Sequence, residues 1–293
     1  MFLIRYSSQR HGLLTLRWEL FFQRQKKCQK VLLKEIFMII YFSATGNSQY
    51  VAERIAQATN DRTVSITSCM KNRQFQFEIY EDEFLGIISP TYSWGLPEIV
   101  KEFLQKLNLN TKPSYIWFIA TYGTTTGQTG YFANQILQKH NFSISAYFSV
   151  KMSDTWTPTF NLSNKERIQK INAKAELQID TIIDKIKNHT AGDYMQRKVP
   201  IPIAKLFYNT EYDTMRKTNH FHVEDTCIGC GLCAKKCPIS AIDIVKQKPT
   251  WNKEQCVMCL SCLHHCPKFA IQYENKTKKH GQYVHSPLSI KSS

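Results

Sequence analysis

Short apolar segments alternate with amphipathic ones over residues 36–188, and turn-forming residues separate them. The apolar segments cover residues 36–42, 63–67, 84–88, 115–120 and 142–150, and the helical patterns cover 49–59, 97–107, a stretch ending at 140, and 164–188. Continuous apolar runs of this length are typical of strands that helices cover on both faces. The pattern therefore predicts an α/β fold with a doubly wound sheet of five parallel strands.

Three polar loops, at 43–48, 89–97 and 121–127, follow the first, third and fourth predicted strands. Ligands of such sheets bind beyond the carboxyl ends of the strands, so we expect the three loops to converge. The first loop, Ser-Ala-Thr-Gly-Asn-Ser, precedes a helix and offers hydroxyl and backbone N–H donors that suit a phosphate. Such a turn can also simply cap a helix. It has neither the lysine of a P-loop nor the three glycines of a dinucleotide fingerprint.

Eight of the ten cysteines form two copies of the pattern C-x2-C-x2-C-x3-C-P. They are Cys227, Cys230, Cys233 and Cys237, followed by Cys256, Cys259, Cys262 and Cys266. Thiolates at this spacing hold 4Fe-4S clusters, and in two-cluster ferredoxins the fourth cysteine binds the other cluster. The sequence therefore predicts one cluster on Cys227, Cys230, Cys233 and Cys266, and a second on Cys256, Cys259, Cys262 and Cys237. Structural zinc sites use two ligand pairs, and disulfide frameworks suit small secreted domains, so both alternatives fit less well.

The cysteine-rich segment resembles a bacterial two-cluster ferredoxin over residues 220–275, a small α+β domain. Predicted strands at 241–245 and 249–251 form a hairpin between the two motifs, and 269–273 supplies another strand. Residues 38–188 resemble a flavodoxin, because Ser43-Ala-Thr-Gly-Asn-Ser48 matches the family's FMN-phosphate loop. The whole chain resembles the flavodoxin–ferredoxin fusion proteins of anaerobic bacteria.

The resemblance implies FMN and two 4Fe-4S clusters as cofactors and assigns residues to the FMN site. The phosphate would be held by Ser43, Thr45, Gly46, Asn47 and Ser48. One side of the isoalloxazine ring would be lined by Pro90, Thr91, Tyr92, Ser93, Trp94 and Gly95, and the other by Thr121, Tyr122, Gly123 and Thr124. Asp154 and Trp156 follow the fifth strand at the same end of the sheet, where they either close over the flavin or form a surface loop.

The remaining segments are expected to be connecting or terminal. Residues 1–37 are predicted to be a non-native or disordered extension, because Met38 opens the first strand as a true N terminus would. Residues 189–219 form a connector in which Pro200 and Pro202 break regular structure. Its apolar side chains predict that it packs against the domains rather than acting as a loose tether. Residues 276–293 are predicted to be a disordered tail.

The net charge of +15 does not by itself indicate a nucleic-acid partner. Residues 1–37 contribute +6 of it, from eight Lys/Arg and two Asp/Glu, and each cluster with its thiolates adds about −2. No apolar run reaches the 18 or so residues needed to cross a bilayer. The flavodoxin-like part is less acidic than is typical of that family, so we expect a redox partner protein with an acidic face.

The predicted cofactors together indicate a cytoplasmic electron-transfer protein that relays single electrons between two 4Fe-4S clusters and FMN. The alternative is a flavin-dependent reductase of an unknown small molecule, with the clusters as its electron supply and Tyr122 as the nearest proton donor. No nicotinamide-binding domain is visible in the sequence.

Overall fold

In the computed structural model, which describes residues 37–80 and 83–285, a parallel sheet forms the centre of the first part of the chain. The strands of this part are β1 (Phe37–Tyr41), β2 (Arg62–Ser65), β3 (Gln76–Phe77), β4 (Phe84–Pro90), β5 (Asn108–Leu109), β6 (Ile116–Tyr122), β7 (Ala146–Lys151) and β8 (Gly192–Asp193). Six of them form the sheet in the order β2-β1-β4-β6-β7-β8, and β3 pairs separately with β5. The order reverses between β1 and β4, where such sheets bind ligands.

Five helices cover the two faces of this sheet. They are α1 (Asn47–Thr59), α2 (Ile66–Asn72), α3 (Glu98–Lys106), α4 (Thr129–Gln138) and α5 (Lys165–Lys187). Helices α1 and α5 pack on one face through residues such as Ile55 and Ile179, and α2, α3 and α4 pack on the other through residues such as Phe103. The predicted fold is confirmed, with β8 as a sixth strand that the apolar pattern does not reveal.

One close contact in the core depends on a glycine in the sheet. A Cβ atom at Gly86 in β4 would lie 2.2 Å from the indole Cζ2 of Trp117 in β6, and Trp117 is completely buried. The neighbouring strands can therefore hold this large ring only because position 86 has no side chain.

The connector contains a helix that the sequence analysis does not predict. Helix α6 (Ile201–Met215) begins directly after Pro200 and has Pro202 in its first turn. The expectation that these prolines break regular structure is wrong, because the first turn of a helix needs no backbone N–H donors from them. The helix carries Tyr208 and Tyr212 towards α3, so this segment does pack against the first domain.

The cysteine-rich part is built from short elements around its own small core. After a 3-10 turn at Thr218–His220 come β9 (Phe221–Val223), α7 (Leu232–Lys236), β10 (Ile242–Val245), β11 (Lys248–Trp251), α8 (Ser261–His264), β12 (Ile271–Tyr273) and α9 (Thr277–His280). Strands β10 and β11 form the predicted hairpin, and β12 pairs antiparallel with β9.

Only part of the predicted tail can be compared with the structure, and that part is ordered. Residues 276–285 include α9 and the buried side chain of Tyr283, so the prediction of disorder is wrong there. Residues 286–293 and 1–36 lie outside the described residues, as does most of the predicted N-terminal extension; Phe37 belongs to β1. No helix within 37–80 and 83–285 has the length and apolar character to cross a bilayer.

Candidate flavin and cluster sites

The three polar loops converge on one cavity of about 320 Å³ at the carboxyl ends of β1, β4 and β6. This volume lies within the range of about 300–1,000 Å³ usual for small-molecule sites. Thirteen of the fifteen residues predicted for the flavin line it: Ser43, Thr45, Asn47, Ser48, Pro90, Thr91, Tyr92, Ser93, Trp94, Thr121, Tyr122, Gly123 and Thr124. The other two, Gly46 and Gly95, lie in the loop backbones and not on the cavity wall.

The loop at 43–48 (the phosphate loop) presents the N terminus of α1 without a capping side chain. Gly46 at the N-cap has φ of 96°, a left-handed conformation that favours glycine, and the described residues show no side-chain cap hydrogen bond there. Ser48 Oγ lies 2.8 Å from Thr121 Oγ1, and Asn47 Nδ2 donates to the backbone oxygen of Ser153 at 3.1 Å. Uncapped N–H groups beside fixed hydroxyl groups are a donor set that fits a phosphate.

The loop after β4 holds two aromatic side chains at the cavity. Ser93 and Trp94 have φ of 44° and 66°, and Tyr92 and Gly95 exchange backbone hydrogen bonds of 3.0 and 2.8 Å around them. The Trp94 ring stacks on Phe207 of α6 with centroids 4.1 Å apart. Flat aromatic walls of this kind suit a planar ring system.

The loops after β6 and β7 close the cavity from the other side. A Cβ atom at Gly123 would lie 2.3 Å from Asp154 Cβ, so these two loops touch through a position without a side chain. Asp154, Thr155 and Trp156 line the cavity. Burial raises the pKa of Asp154, and a hydrogen bond from the Trp156 N–H partly opposes that effect.

Two groups of cysteines form in the C-terminal part, in the crossed arrangement that the spacing predicts. Cys227, Cys230, Cys233 and Cys266 (the outer group) surround one small cavity, and Cys230 is exposed. Cys237, Cys256, Cys259 and Cys262 (the inner group) lie near one another. Burial first, and then the three neighbouring thiols, raise the pKa of Cys262 well above its usual value. Each motif thus supplies three members of one group and one of the other.

The inner group brings together four cysteines, which is the ligand number of a 4Fe-4S cluster. Burial raises the pKa of the Cys256 thiol to about 11, and a thiol that binds a metal must first lose its proton. No three His, Cys, Asp or Glu side chains in the described parts of the chain converge closely enough to hold one metal ion.

The inner group adjoins the flavin cavity. Met258, Cys259 and Leu260 belong to the cavity wall, together with Phe207, Tyr212 and Met215 of α6. Sequence reasoning identified Cys259 as a cluster ligand but did not place any of these six residues at the flavin cavity, because the motif spacings do not show which surfaces of the two domains are in contact. Burial, and next the nearby Cys259 thiol, raise the pKa of Tyr92, which places this ring of the flavin cavity beside the inner group.

Direct hydrogen bonds fix the cluster-bearing loops to the flavin cavity. Tyr212 Oη accepts from the Glu98 N–H of α3 at 3.1 Å and donates to the Val257 carbonyl, between two inner cysteines, at 3.2 Å. Ser261 Oγ donates to the carbonyl of Ala44 in the phosphate loop at 3.1 Å. His264 Nε2 donates to the carbonyl of Thr155 at 2.9 Å, so this histidine is a packing residue.

The last described residues lie across the phosphate loop. The His285 N–H donates to the carbonyl of Thr45 at 2.7 Å, and Tyr283 Oη donates to Asn47 Oδ1 at 3.3 Å. Gln282 Nε2 donates to the carbonyls of Leu263 and Cys266 at 2.6 and 2.9 Å. Residues 281–285 (the C-terminal strap) thus join the phosphate loop to the segment that carries the last cysteines.

Comparison with known proteins identifies both parts of the chain. A model of the flavodoxin domain matches residues 38–181, and a model of the 4Fe-4S dicluster domain matches residues 220–267. Among solved structures, a flavodoxin from the domain Archaea is 14% identical with a TM-score of 0.33, covering 52% of this chain and 99% of its own. The Fusobacterium nucleatum flavodoxin bound to flavin mononucleotide is 13% identical with a TM-score of 0.35, covering 53% and 98%.

The curated relatives match short stretches of the chain. An uncharacterized polyferredoxin-like protein of Methanocaldococcus jannaschii is 40% identical over 62 residues, covering 17% of this chain and 37% of that protein. One component of an ion-translocating oxidoreductase complex of Methanosarcina acetivorans is 39% identical over 46 residues, covering 16% and 17%. The chain therefore spans well under half the length of either relative.

Proposed function

Because the chain matches a flavodoxin–ferredoxin fusion, with FMN and two 4Fe-4S clusters as its cofactors, we propose that this electron-transfer protein relays single electrons between the clusters and the flavin. Clusters exchange one electron at a time, whereas a flavin can hold one or two, so together they supply a one-to-two-electron converter. The observation that carries the proposal is the shared wall: Cys259 of the inner group lines the cavity formed by the predicted flavin residues.

The position of the two cysteine groups supports an order for the relay. The inner group lies against the flavin cavity, with three of its four cysteines buried, whereas Cys230 of the outer group is exposed. Ile228 beside it is 58% exposed, and Lys268 borders the outer group. We propose that a partner protein exchanges electrons at the outer group. An apolar centre next to a lysine suits a partner whose contact surface is apolar with an acidic rim.

The residues around the cavity have three proposed roles. The phosphate loop would hold the phosphate through the N terminus of α1. Tyr92 and Trp94 would cover one side of the flavin ring. The backbone of 121–124 would hydrogen-bond its edge. Phe207 and Tyr212 complete the cover and keep water from the cavity, which strengthens the hydrogen bonds within it.

The alternative, a reductase with its own small-molecule substrate, is less well supported. Its nearest proton donor, Tyr122, lines the cavity, but burial raises the pKa of its phenol. A phenol of that kind is a weak acid at neutral pH. Phe207 stacked on Trp94 also occupies the space through which a substrate would approach that side.

Electron exchange between the two cofactor types tests the proposal. The cofactor-loaded protein, prepared without oxygen, would receive less than one reducing equivalent, and the flavin would be followed by absorbance and the clusters by electron paramagnetic resonance. We expect both signals to reach equilibrium together in the wild type. Cys259→Ser should slow exchange with the flavin at least tenfold, because it removes the inner cluster.

Two further variants make the test specific. Cys230→Ser should leave exchange between the inner cluster and the flavin intact but slow reduction by an external protein donor. Cys69→Ala is the matched control, since Cys69 is a buried thiol outside both groups, and should change neither rate. Unchanged exchange in Cys259→Ser, or a wild type in which flavin and clusters never equilibrate, would rule the relay out.

A further inference from the structure

A second cavity, of about 380 Å³, lies on the other side of the phosphate loop from the flavin cavity. The two cavities have only Ser43 and Ala44 in common. The first domain contributes β1, α1 and α2 to its walls, and the cysteine-rich part contributes α7 and α8. We call it the basic cleft. Neither the proposed flavin site nor the cysteine groups account for it.

Positive charge in the basic cleft is not balanced by nearby carboxylates. Lys71 of α2 and Lys235 and Lys236 of α7 line it, and all three are exposed. Within 37–80 and 83–285, none of these lysines has a carboxylate oxygen within 4.0 Å. The one acidic residue of the cleft, Glu53, accepts a hydrogen bond from Gln49 Nε2 at 2.7 Å.

The lysines come from separate elements and are brought together by the fold. Lys71 Nζ donates to the backbone carbonyl of Lys235 at 3.2 Å, which joins α2 to α7 at the edge of the cleft. Tyr41, Ser43 and Thr67 add hydroxyl groups to the wall. Three cations with neighbouring O–H donors form the set that binds phosphate, for which lysine acts as a point charge.

We propose that the basic cleft binds the phosphate group of a small molecule other than FMN. The bound ligand would lie between the phosphate loop and α8, the helix that contains Cys262. Ser261 of α8 lines the cleft while its hydroxyl donates to Ala44. The ligand's negative charge would therefore oppose reduction of the inner cluster, so its presence is expected to lower the potential of that cluster.

Calorimetric titration with pyrophosphate tests this site directly. The probe is added to the FMN-saturated, cluster-loaded protein at constant ionic strength, with citrate as a carboxylate of similar charge. We expect pyrophosphate to bind at least tenfold more tightly than citrate. The double variant Lys235→Gln/Lys236→Gln should weaken pyrophosphate binding at least tenfold. Lys139→Gln/Lys187→Gln removes the same charge from exposed positions outside the cleft and should change it less than twofold.

A second variant separates the cleft from the cysteine groups. Lys235 and Lys236 lie between two cluster cysteines, whereas Lys71 is in the first domain, so Lys71→Gln should weaken binding while iron and flavin contents stay at wild-type values. The proposal fails if the wild type does not bind pyrophosphate, if citrate binds as well, or if the cleft and control variants behave alike. It also fails if Lys71→Gln releases FMN, because the cleft would then belong to the flavin site.

Discussion

Tyr212→Phe removes one oxygen atom from the contact between the flavin domain and the inner cysteine group. Tyr212 is 3% exposed, and its hydroxyl is bonded both to the Glu98 N–H and to the Val257 carbonyl. Phenylalanine keeps the ring, so no large cavity forms. Both backbone groups would lose their side-chain partner in a region with little access to water.

The expected cost follows from those two bonds. Each hydrogen bond contributes about 1 kcal/mol net, and a buried group left without a partner costs about 1–3 kcal/mol. With two such groups, the free energy of unfolding should fall by about 2–6 kcal/mol. With a urea m-value of about 3 kcal/mol/M, the unfolding midpoint should fall by about 0.7–2 M.

Anaerobic urea unfolding followed by circular dichroism measures this effect, with iron and flavin contents matched between variants. Tyr194→Phe is the control, because its hydroxyl makes one local bond, to the Ala191 carbonyl, and the residue is 39% exposed. That variant should lose about 0.5 kcal/mol or less. If Tyr212→Phe shifts the midpoint no more than Tyr194→Phe does, the hydroxyl does not hold the two parts together as argued.

Two other substitutions probe the neighbouring contacts. Arg216 is largely buried, and its Nε donates to the Cys256 carbonyl at 2.9 Å. Removing this positive charge in Arg216→Gln should lower the potential of the inner cluster by tens of millivolts and leave that of the outer cluster unchanged in a redox titration. Arg216→Lys should retain most of the wild-type potential, and equal shifts of both clusters would contradict the assignment. Tyr283→Phe removes the hydrogen bond to Asn47, so the variant should bind FMN two- to tenfold more weakly in a fluorescence titration. An unchanged affinity for FMN would mean that the C-terminal strap does not support the phosphate loop.

The parts of the fold that repeat a regular pattern could be predicted from the sequence. The buried strands are continuous apolar runs, and Pro97 directly precedes α3 as predicted. The cysteine spacing also predicted the two groups, since three cysteines on one short loop must face the same way. These features depend on neighbours in the chain, which a sequence displays directly.

Features that depend on distant contacts could not be predicted in the same way. Strand β8 has two residues and forms only because Gly192 and Asp193 lie beside β7. Helix α6 was not predicted, because its prolines suggested irregular structure. Its position at the cavity depends on the distant contact between Phe207 and Trp94. The order seen at Tyr283 likewise depends on a hydrogen bond to Asn47, 236 positions earlier in the chain.

The cavity wall combines loops of the first domain with residues of α6 and of the cysteine-rich part, and this limits how the protein could be divided. A fragment ending at residue 181 would keep the phosphate loop and Trp94 but lose Phe207, Tyr212 and Cys259 from the wall. Its ring site would face solvent on that side and be open to dioxygen. Splitting the gene at the domain boundary would therefore give a flavodoxin whose flavin site is open to dioxygen and a ferredoxin with an exposed apolar surface. We therefore expect the two halves to be inherited as a unit.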